Sequence, residues 1–126
     1  MGRNIALGAL GEDLAAQYLT EAGLTVVDRN WRCRYGELDV IAVDSGDASG
    51  DAVVFVEVKT RSGLGYGSPA EAVTVAKARR IRLLAQQWLA QSERRWPHVR
   101  FDVVGVLVDR HDESAEPQIT HLPGAF

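Results

Sequence analysis

Hydrophobic positions recur along the chain with two periods, one helical and one extended. Spacings of three and four residues predict two amphipathic helices, the first over 7–22. The second begins at Thr74, or alternatively near Ser68 and Pro69, and ends at about residue 92. Five shorter stretches are rich in valine, isoleucine and phenylalanine, which predicts strands. The predicted strands cover 24–27, 37–43, 52–60, 99–108 and 118–122. The element order is therefore helix, three strands, helix, two strands.

The first helix carries both an apolar stripe and two glycines. Leu10, Leu14 and Tyr18 recur at four-residue steps, and Ala15, Leu19 and Ala22 widen this expected buried stripe. Gly8 and Gly11 each cost roughly 1 kcal/mol relative to alanine inside a helix. We therefore expect either fraying there or a close approach of another backbone.

Short connections constrain the sheet. Residues 30–36 are predicted to form an arginine-rich turn, and the small and acidic residues of 44–51 a surface loop. Neighbouring strands joined so closely must run antiparallel, whereas the second helix can connect parallel strands. The predicted fold class is an α/β/α sandwich with a mixed central sheet of about five strands, in one domain spanning 1–126.

Composition indicates which class of protein the chain belongs to and in which compartment we expect it. The 126 residues are 46% hydrophobic and 25% charged, which is typical of a single globular domain. No apolar run approaches the roughly 18 residues that a membrane span needs, and Glu12 and Asp13 interrupt the start before a signal-peptide core could form. Cys33 is the only cysteine, so no intramolecular disulfide and no cysteine-based zinc site is expected. We expect a cytoplasmic protein without membrane contact.

Charge is segregated along the chain. The net charge is −3, which by itself argues against a nucleic-acid partner. However, residues 77–100 contain seven basic side chains and one acidic side chain, and the acids concentrate in 37–51 and 109–116. Because charges are screened over about 10 Å, a ligand responds to the nearby patch more than to the total. A basic face remains compatible with a polyanion.

The third strand places a carboxylate and an ammonium among apolar residues. Glu57 and Lys59 are two residues apart, so both side chains leave the same face of the strand. Their neighbours are valine and phenylalanine, as in a buried central strand. Desolvating two charged groups there costs several kcal/mol each by a rough estimate, so something must compensate. The alternative is an ordinary solvent-facing edge strand.

Asp39 interrupts the second strand in the same way. If the second and third strands form a hairpin in which paired positions sum to 96, Asp39 lies opposite Glu57 with Cβ atoms about 5 Å apart. A divalent ion with oxygen ligands would relieve the repulsion between the two acids, and Mg²⁺ or Mn²⁺ fits such a pair. Lys59 would point toward whatever the metal holds. Register is decisive, because a slip of one residue places the acids on opposite faces.

No competing catalytic arrangement is visible in the sequence. His98, His111 and His121 have spacings that indicate no metal cluster, and they are predicted to be ordinary surface residues. The sequence offers no Ser-His-Asp or Cys-His arrangement.

The acidic pair and the lysine carry a resemblance. Asp39 followed, after a hairpin, by Glu57, Val58 and Lys59 resembles the core signature of the PD-(D/E)xK nucleases, which have the restriction-endonuclease-like fold. The wider chain resembles the YraN family of bacterial proteins, which is similar to archaeal Holliday-junction resolvases. The segments that carry it are GALGEDLAAQYL, NWRCRYGELDVIA, FVEVKTR, GSPAEAV, the K-x-R-R of 77–80, RFDVVGV and HLPGAF. Leu38 stands where the superfamily name has proline.

The resemblance implies roles for individual residues. Asp39, Glu57 and the backbone carbonyl of Val58 would hold Mg²⁺ or Mn²⁺, and Glu12 would add a further carboxylate beside the metal. Lys59 would orient or help deprotonate the attacking water and stabilise charge on the phosphate. The resemblance also implies a homodimer with two sites facing two strands, although the residues themselves leave the oligomeric state open.

The expected function is metal-dependent hydrolysis of phosphodiester bonds in DNA, including branched or junction-like DNA. Phosphate contacts would position the backbone without reading its sequence. The residues expected to make them are Arg32, Arg34, Arg61, Lys77, Arg79, Arg80 and Arg82. One alternative is a non-catalytic nucleic-acid-binding or assembly module that keeps the nuclease fold. Another is an adaptor whose arginine-rich helix binds an acidic protein.

Overall fold

A computed structural model describes residues 2–46, 48–62, 73–109, 112 and 114–126, with side chains from residue 7 onward. Two helices and five strands follow the predicted order. The helices are α1 (Gly2–Glu21) and α2 (Val75–Gln91), and the strands are β1 (Thr25–Cys33), β2 (Gly36–Asp44), β3 (Ala52–Arg61), β4 (His98–Leu107) and β5 (Gln118–Leu122). No helix among these residues is long and apolar enough to cross a membrane.

The five strands form one mixed sheet in the order β1-β2-β3-β4-β5. Three of the four pairings are antiparallel, and only β3 and β4 run parallel. This is the pairing that α2 connects, as expected because a parallel connection needs a long crossover. The mixed α/β sandwich predicted from the sequence is therefore confirmed.

Each face of the sheet is covered by one helix. Ala15 and Leu19 of α1 are fully buried in a core cluster with Val54 of β3. On the opposite face, Ile81 and other α2 residues pack in a second cluster with Phe55. Adjacent residues of β3 thus face opposite helices, which explains why this central strand is almost continuously apolar.

The buried face of α1 agrees with the predicted stripe except at Leu10. Ala15 and Leu19 are fully buried, and Leu14 and Tyr18 pack against the same cluster, whereas Leu10 is 43% exposed. Gly11 is buried, and a Cβ there would lie only 1.7 Å from Oγ1 of Thr60, so the missing side chain lets the helix approach β3 closely. The expected close approach is therefore found at Gly11, although the nearest atoms belong to the side chain of Thr60 and not to a backbone.

The predicted turn over 30–36 was wrong in its extent. β1 continues to Cys33 and pairs with β2 up to Gly36, leaving only Arg34 and Tyr35 in the turn. Trp31 and Cys33 pack against the α2 cluster, so burial outweighs the polar composition of the segment. The second helix begins after Thr74, whose hydroxyl accepts a hydrogen bond from the backbone N–H of the third helical residue at 3.1 Å. The alternative start at 68–69 lies outside the described residues.

His121 was also wrongly predicted as a surface residue. It lies in β5, and its Nε2 is 2.8 Å from Oδ2 of Asp102, a fully buried carboxylate. Asp102 also accepts two hydrogen bonds from Arg100, at 2.8 and 2.9 Å, and one from the backbone of Gly124 at 3.0 Å. This network joins β4 to the C-terminal residues. His98 is exposed as predicted, and His111 lies outside the described residues.

Candidate metal and phosphate site

The candidate site lies where β2 and β3 separate. Their ladder runs from the Asp44–Ala52 pair to the Val40–Val56 pair, and every pair sums to 96, which confirms the predicted register. The next position would pair Asp39 with Glu57. Instead, the backbone N–H of Val58 donates a hydrogen bond of 2.9 Å to Oδ2 of Asp39. At this position β3 therefore bonds to a side chain of β2 and not to its backbone.

The alternation of side chains breaks at Asp39. Leu38 packs in the α2 cluster, although Val40, two residues further, packs in the α1 cluster. In the neighbouring strand β1, Arg29 pairs with Val40 and Trp31 pairs with Leu38, so Asn30 lies opposite Asp39. The φ of Asn30 is 52°, in the left-handed region that asparagine tolerates. At this irregularity the Asp39 side chain lines a surface cleft.

Three carboxylates converge there. Glu12 from α1, Glu37 from β2 and Asp39 each offer an oxygen, and these oxygens lie within 4.8 Å of one another. The charge of Glu57, from β3, also acts on Asp39 and helps to raise its pKa. Four acidic side chains from three elements, Asp39 included, thus lie close to one another, although repulsion between them is unfavourable.

Cationic and amide groups from this chain partly neutralise the acids. Nζ of Lys77 lies 2.6 Å from Oε1 of Glu57, and Nε of Arg32 lies 2.5 Å from Oε2 of Glu37. With its amide nitrogen turned toward α1, Asn30 donates to the two carboxylate oxygens of Glu12 at 2.9 and 3.1 Å.

The pKa of Asp39 is the one most strongly affected by this arrangement. Burial, together with the charge of Glu57, raises the pKa of Asp39 to about 8, and the hydrogen bond from Val58 only partly opposes this. Burial and the charge of Glu37 also raise the pKa of Glu12, against the hydrogen bond from Asn30. The acids of the cluster are therefore not fully neutralised by the cationic groups around them. Such a set of uncompensated carboxylate oxygens is suited to binding a divalent cation.

An open cleft of about 760 Å³ gives access to these groups. Lys59 lines it together with Lys77, and forms no ion pair with any residue that the structure describes. Thr60 and the α1 residues around Gly8 form its other wall. The cleft thus brings four acids and two ammonium groups to one solvent-accessible surface.

The predicted phosphate-binding residues differ in their surroundings. Arg32 and Lys77 line the cleft but are paired with acids. Arg79 and Arg80 are exposed on α2. The guanidinium of Arg82 lies over aromatic rings of the second core, 5.7 and 5.9 Å from their centroids, which gives it a packing role. Arg34 lies over the ring of Tyr35, and Arg61 ends β3 outside the residues that line the cleft.

Sequence reasoning underestimated three participants. Glu37 is absent from the predicted ligand set, yet its carboxylate oxygen lies within 4.8 Å of oxygens of both Asp39 and Glu12. Asn30 was assigned to a turn, and nothing in its sequence context indicated the left-handed conformation. Lys77 was assigned to phosphate binding, although its ammonium contacts Glu57. A signal was present for Lys77, because a basic residue in the first turn of a helix is electrostatically unfavourable and calls for a compensating partner.

The donor set fits a hard divalent ion. Carboxylate oxygens from separate elements, already within 4.8 Å of one another, are the ligands that Mg²⁺ and Mn²⁺ take in proteins. Lys59 and Lys77 supply the positive charge that a bound phosphate requires. The arrangement can therefore hold a metal ion beside a phosphodiester group.

Comparisons with known proteins identify relatives of the whole chain. Residues 11–106 match the family model described as "Uncharacterised protein family UPF0102". The chain is 63% identical to a UPF0102 protein of Rhodococcus jostii (strain RHA1) and 61% identical to one of Rhodococcus opacus (strain B4), in both cases over the full length of each chain. It is 58% identical to a UPF0102 protein of Mycobacterium tuberculosis (strain H37Rv) over 95% of this chain and 91% of the relative.

Proposed function

Because the chain belongs to the UPF0102 family, we propose its function from its site: a metal-dependent nuclease that hydrolyses phosphodiester bonds in DNA. The observation that carries the proposal is the meeting of Asp39, Glu57 and Glu12 with Lys59 in one open cleft. The combination is unfavourable for stability, since it raises the pKa of a buried carboxylate. Groups maintained at such a cost are frequent at functional sites.

The same residues support membership of the PD-(D/E)xK superfamily. Its signature needs an acid on one strand and an acid-x-lysine on the next, and Asp39, Glu57 and Lys59 line one cleft beside a hairpin whose paired positions sum to 96. A helix on each face of a mixed sheet agrees with the restriction-endonuclease-like sandwich. Leu38, in place of proline, is buried against α2.

Asp39, Glu57 and the carbonyl of Val58 would hold Mg²⁺ or Mn²⁺, with Glu12 beside them. Glu37 joins this set because its oxygen lies in the same cluster. Such an ion, when bound, polarises a phosphoryl oxygen and lowers the pKa of bound water.

Lys59 supplies the protein's own contribution to the chemistry. It extends from the same strand as Glu57, two residues further, and reaches the cleft from β3. Its ammonium would orient the attacking water and stabilise negative charge that develops on the phosphate. Lys59 lies in a central strand and is paired with Gly105 of β4, which fixes the backbone position from which the side chain extends.

The substrate class follows from the positive charge around the cleft. Exposed Arg79 and Arg80 extend from α2, the helix whose first turn lines the cleft with Lys77. Contacts of this kind bind phosphates and not bases, so we propose recognition of DNA by backbone geometry, with branched or junction-like DNA as the substrate. A homodimer would place two such clefts against two strands.

A panel of substrates tests the proposal. Linear duplex, single-stranded, flapped and four-way DNA are incubated with Mg²⁺ or Mn²⁺ and with wild-type protein or Asp39→Ala, Glu57→Ala and Lys59→Ala. We expect cleavage by the wild type only, and only with a divalent ion. Retention of cleavage by a well-folded variant would remove that residue from the mechanism. Salt-dependent DNA binding that is independent of the metal and of all three residues would instead establish a non-catalytic binding module.

A further inference from the structure

We propose that Lys77 is a tethered cation that holds Glu57 in the metal-free protein, releases it when a divalent ion binds, and then contacts a phosphate of the DNA. This inference rests on the proposed function, because it concerns the same cleft. It assigns Lys77 a role in coupling metal binding to DNA binding.

The ion pair between Lys77 and Glu57 carries the inference. The two charged atoms are 2.6 Å apart, and the Glu57 side chain is only 14% exposed. Glu57 also lies near enough to Asp39 for its charge to raise the pKa of Asp39. A metal shared by Glu57 and Asp39 would therefore use a carboxylate whose Oε1 already carries the ammonium of Lys77, and the two cations compete for its charge.

The position of Lys77 in α2 is unfavourable for the helix itself. It is the third helical residue after the cap Thr74, where a glutamate or glutamine would complete a capping box. A positive charge there also opposes the helix dipole. The pair with Glu57 compensates for this cost, and the cost makes the ammonium easier to release once a second cation takes the carboxylate.

The released ammonium would remain in the cleft. The backbone N–H of Lys77 is bonded to Oγ1 of Thr74 at 3.1 Å, which fixes the origin of the side chain, and Lys77 lines the same cleft as Lys59. A metal on Glu57 thus adds its own charge and makes a second ammonium available to a phosphate. Metal and DNA should therefore each strengthen the binding of the other.

Titration calorimetry with Mn²⁺ tests the competition directly. An ion pair worth about 1 kcal/mol corresponds to about a fivefold change in binding constant, so Lys77→Met should bind Mn²⁺ about fivefold more tightly than the wild type. Lys59→Met is the matched control: it removes the same charge from the same cleft without breaking an ion pair among the described residues, and should strengthen binding by about twofold or less. Lys77→Gln gives a second variant in case Lys77→Met folds poorly.

Binding of four-way DNA in Ca²⁺ or in a chelator tests the second half of the proposal. The measured quantity is the slope of the logarithm of the DNA-binding constant against the logarithm of the salt concentration. In Ca²⁺, this slope should be smaller in magnitude by about 1 for Lys77→Met than for the wild type, because one phosphate contact is lost. In the chelator, the two slopes should agree, because Lys77 is then held by Glu57.

The outcomes separate this inference from the proposed function. Equal Mn²⁺ affinities of Lys77→Met and Lys59→Met would overturn the competition, as would slopes that differ equally with and without Ca²⁺. A wild type that binds no Mn²⁺ would overturn both proposals. Metal-linked DNA binding without cleavage would support the role of Lys77 and overturn only the nuclease activity.

Discussion

Asp39→Asn should stabilise the metal-free protein while it destroys the proposed site. The asparagine has the shape of a protonated aspartate: its oxygen can still accept the N–H of Val58, and its amide can donate to Glu57. It removes only the negative charge that burial and Glu57 disfavour.

The magnitude follows from the pKa of Asp39, which rises from 3.8 to about 8 on folding. The folded protein then holds a proton that the unfolded chain releases, so stability from this group is complete below pH 4 and is lost as the pH rises to about 8. At 1.36 kcal/mol per pH unit, the loss has an upper limit of about 6 kcal/mol. Relaxation and water entry reduce such a value, and we expect Asp39→Asn to exceed the wild type by about 2 kcal/mol or more at pH 8.

Urea denaturation with a chelator, at unit steps from pH 5 to pH 9, measures this difference. Tryptophan fluorescence is a suitable signal because Trp88 and Trp96 pack against the α2 core. Asp13→Asn is the control, since Asp13 is an exposed acid of α1 in a surface ion pair, worth about 0.5 kcal/mol or less at every pH. An advantage of Asp39→Asn that does not grow with pH, or a loss of stability at pH 8, would refute the reasoning.

Two further predictions concern stability. Gly11→Ala should destabilise the protein by about 1–3 kcal/mol, because the new Cβ overlaps Thr60. Gly8→Ala is the control: its Cβ meets nothing within 4 Å, so it should stabilise the protein by up to about 1 kcal/mol. Thermal denaturation compares the two variants, and equal effects would contradict the close approach of α1. Asp102→Asn should cost about 1–3 kcal/mol, because it removes the buried charge that faces Arg100, although the guanidinium keeps its ion pair with Asp44 at 2.9 Å. Urea denaturation checks this, and a cost below about 1 kcal/mol would be incompatible with a buried ionised network.

The fold was largely predictable because each element has a local signature. The valine-rich β3 indicated a strand covered on both faces, and short connections required antiparallel neighbours. The errors arose where tertiary contacts outweighed local pattern. Trp31 extends β1 because it packs against α2, and Gly11 rather than Leu10 is buried because α1 approaches Thr60 there.

The candidate site was predictable only as far as strand alternation reached. The register could be predicted because it is a simple sum, although the ladder ends at the Val40–Val56 pair, one position before Asp39 and Glu57. That Lys59 lines the same cleft as Glu57 follows from the two-residue period. The partners of these residues could not be predicted, since they depend on how separate elements meet. The left-handed conformation of Asn30 and the reach of Lys77 across to Glu57 are products of packing.

The most direct test of the account is single-turnover cleavage of four-way DNA in Mn²⁺ by the wild type and by Lys59→Met, with both Mn²⁺ and DNA bound to saturation. The account predicts cleavage by the wild type and a loss of at least about 100-fold in the variant, the scale of one lost charge-stabilising group. Equal cleavage rates at equal occupancy, or no cleavage by the metal-loaded wild type, would contradict it.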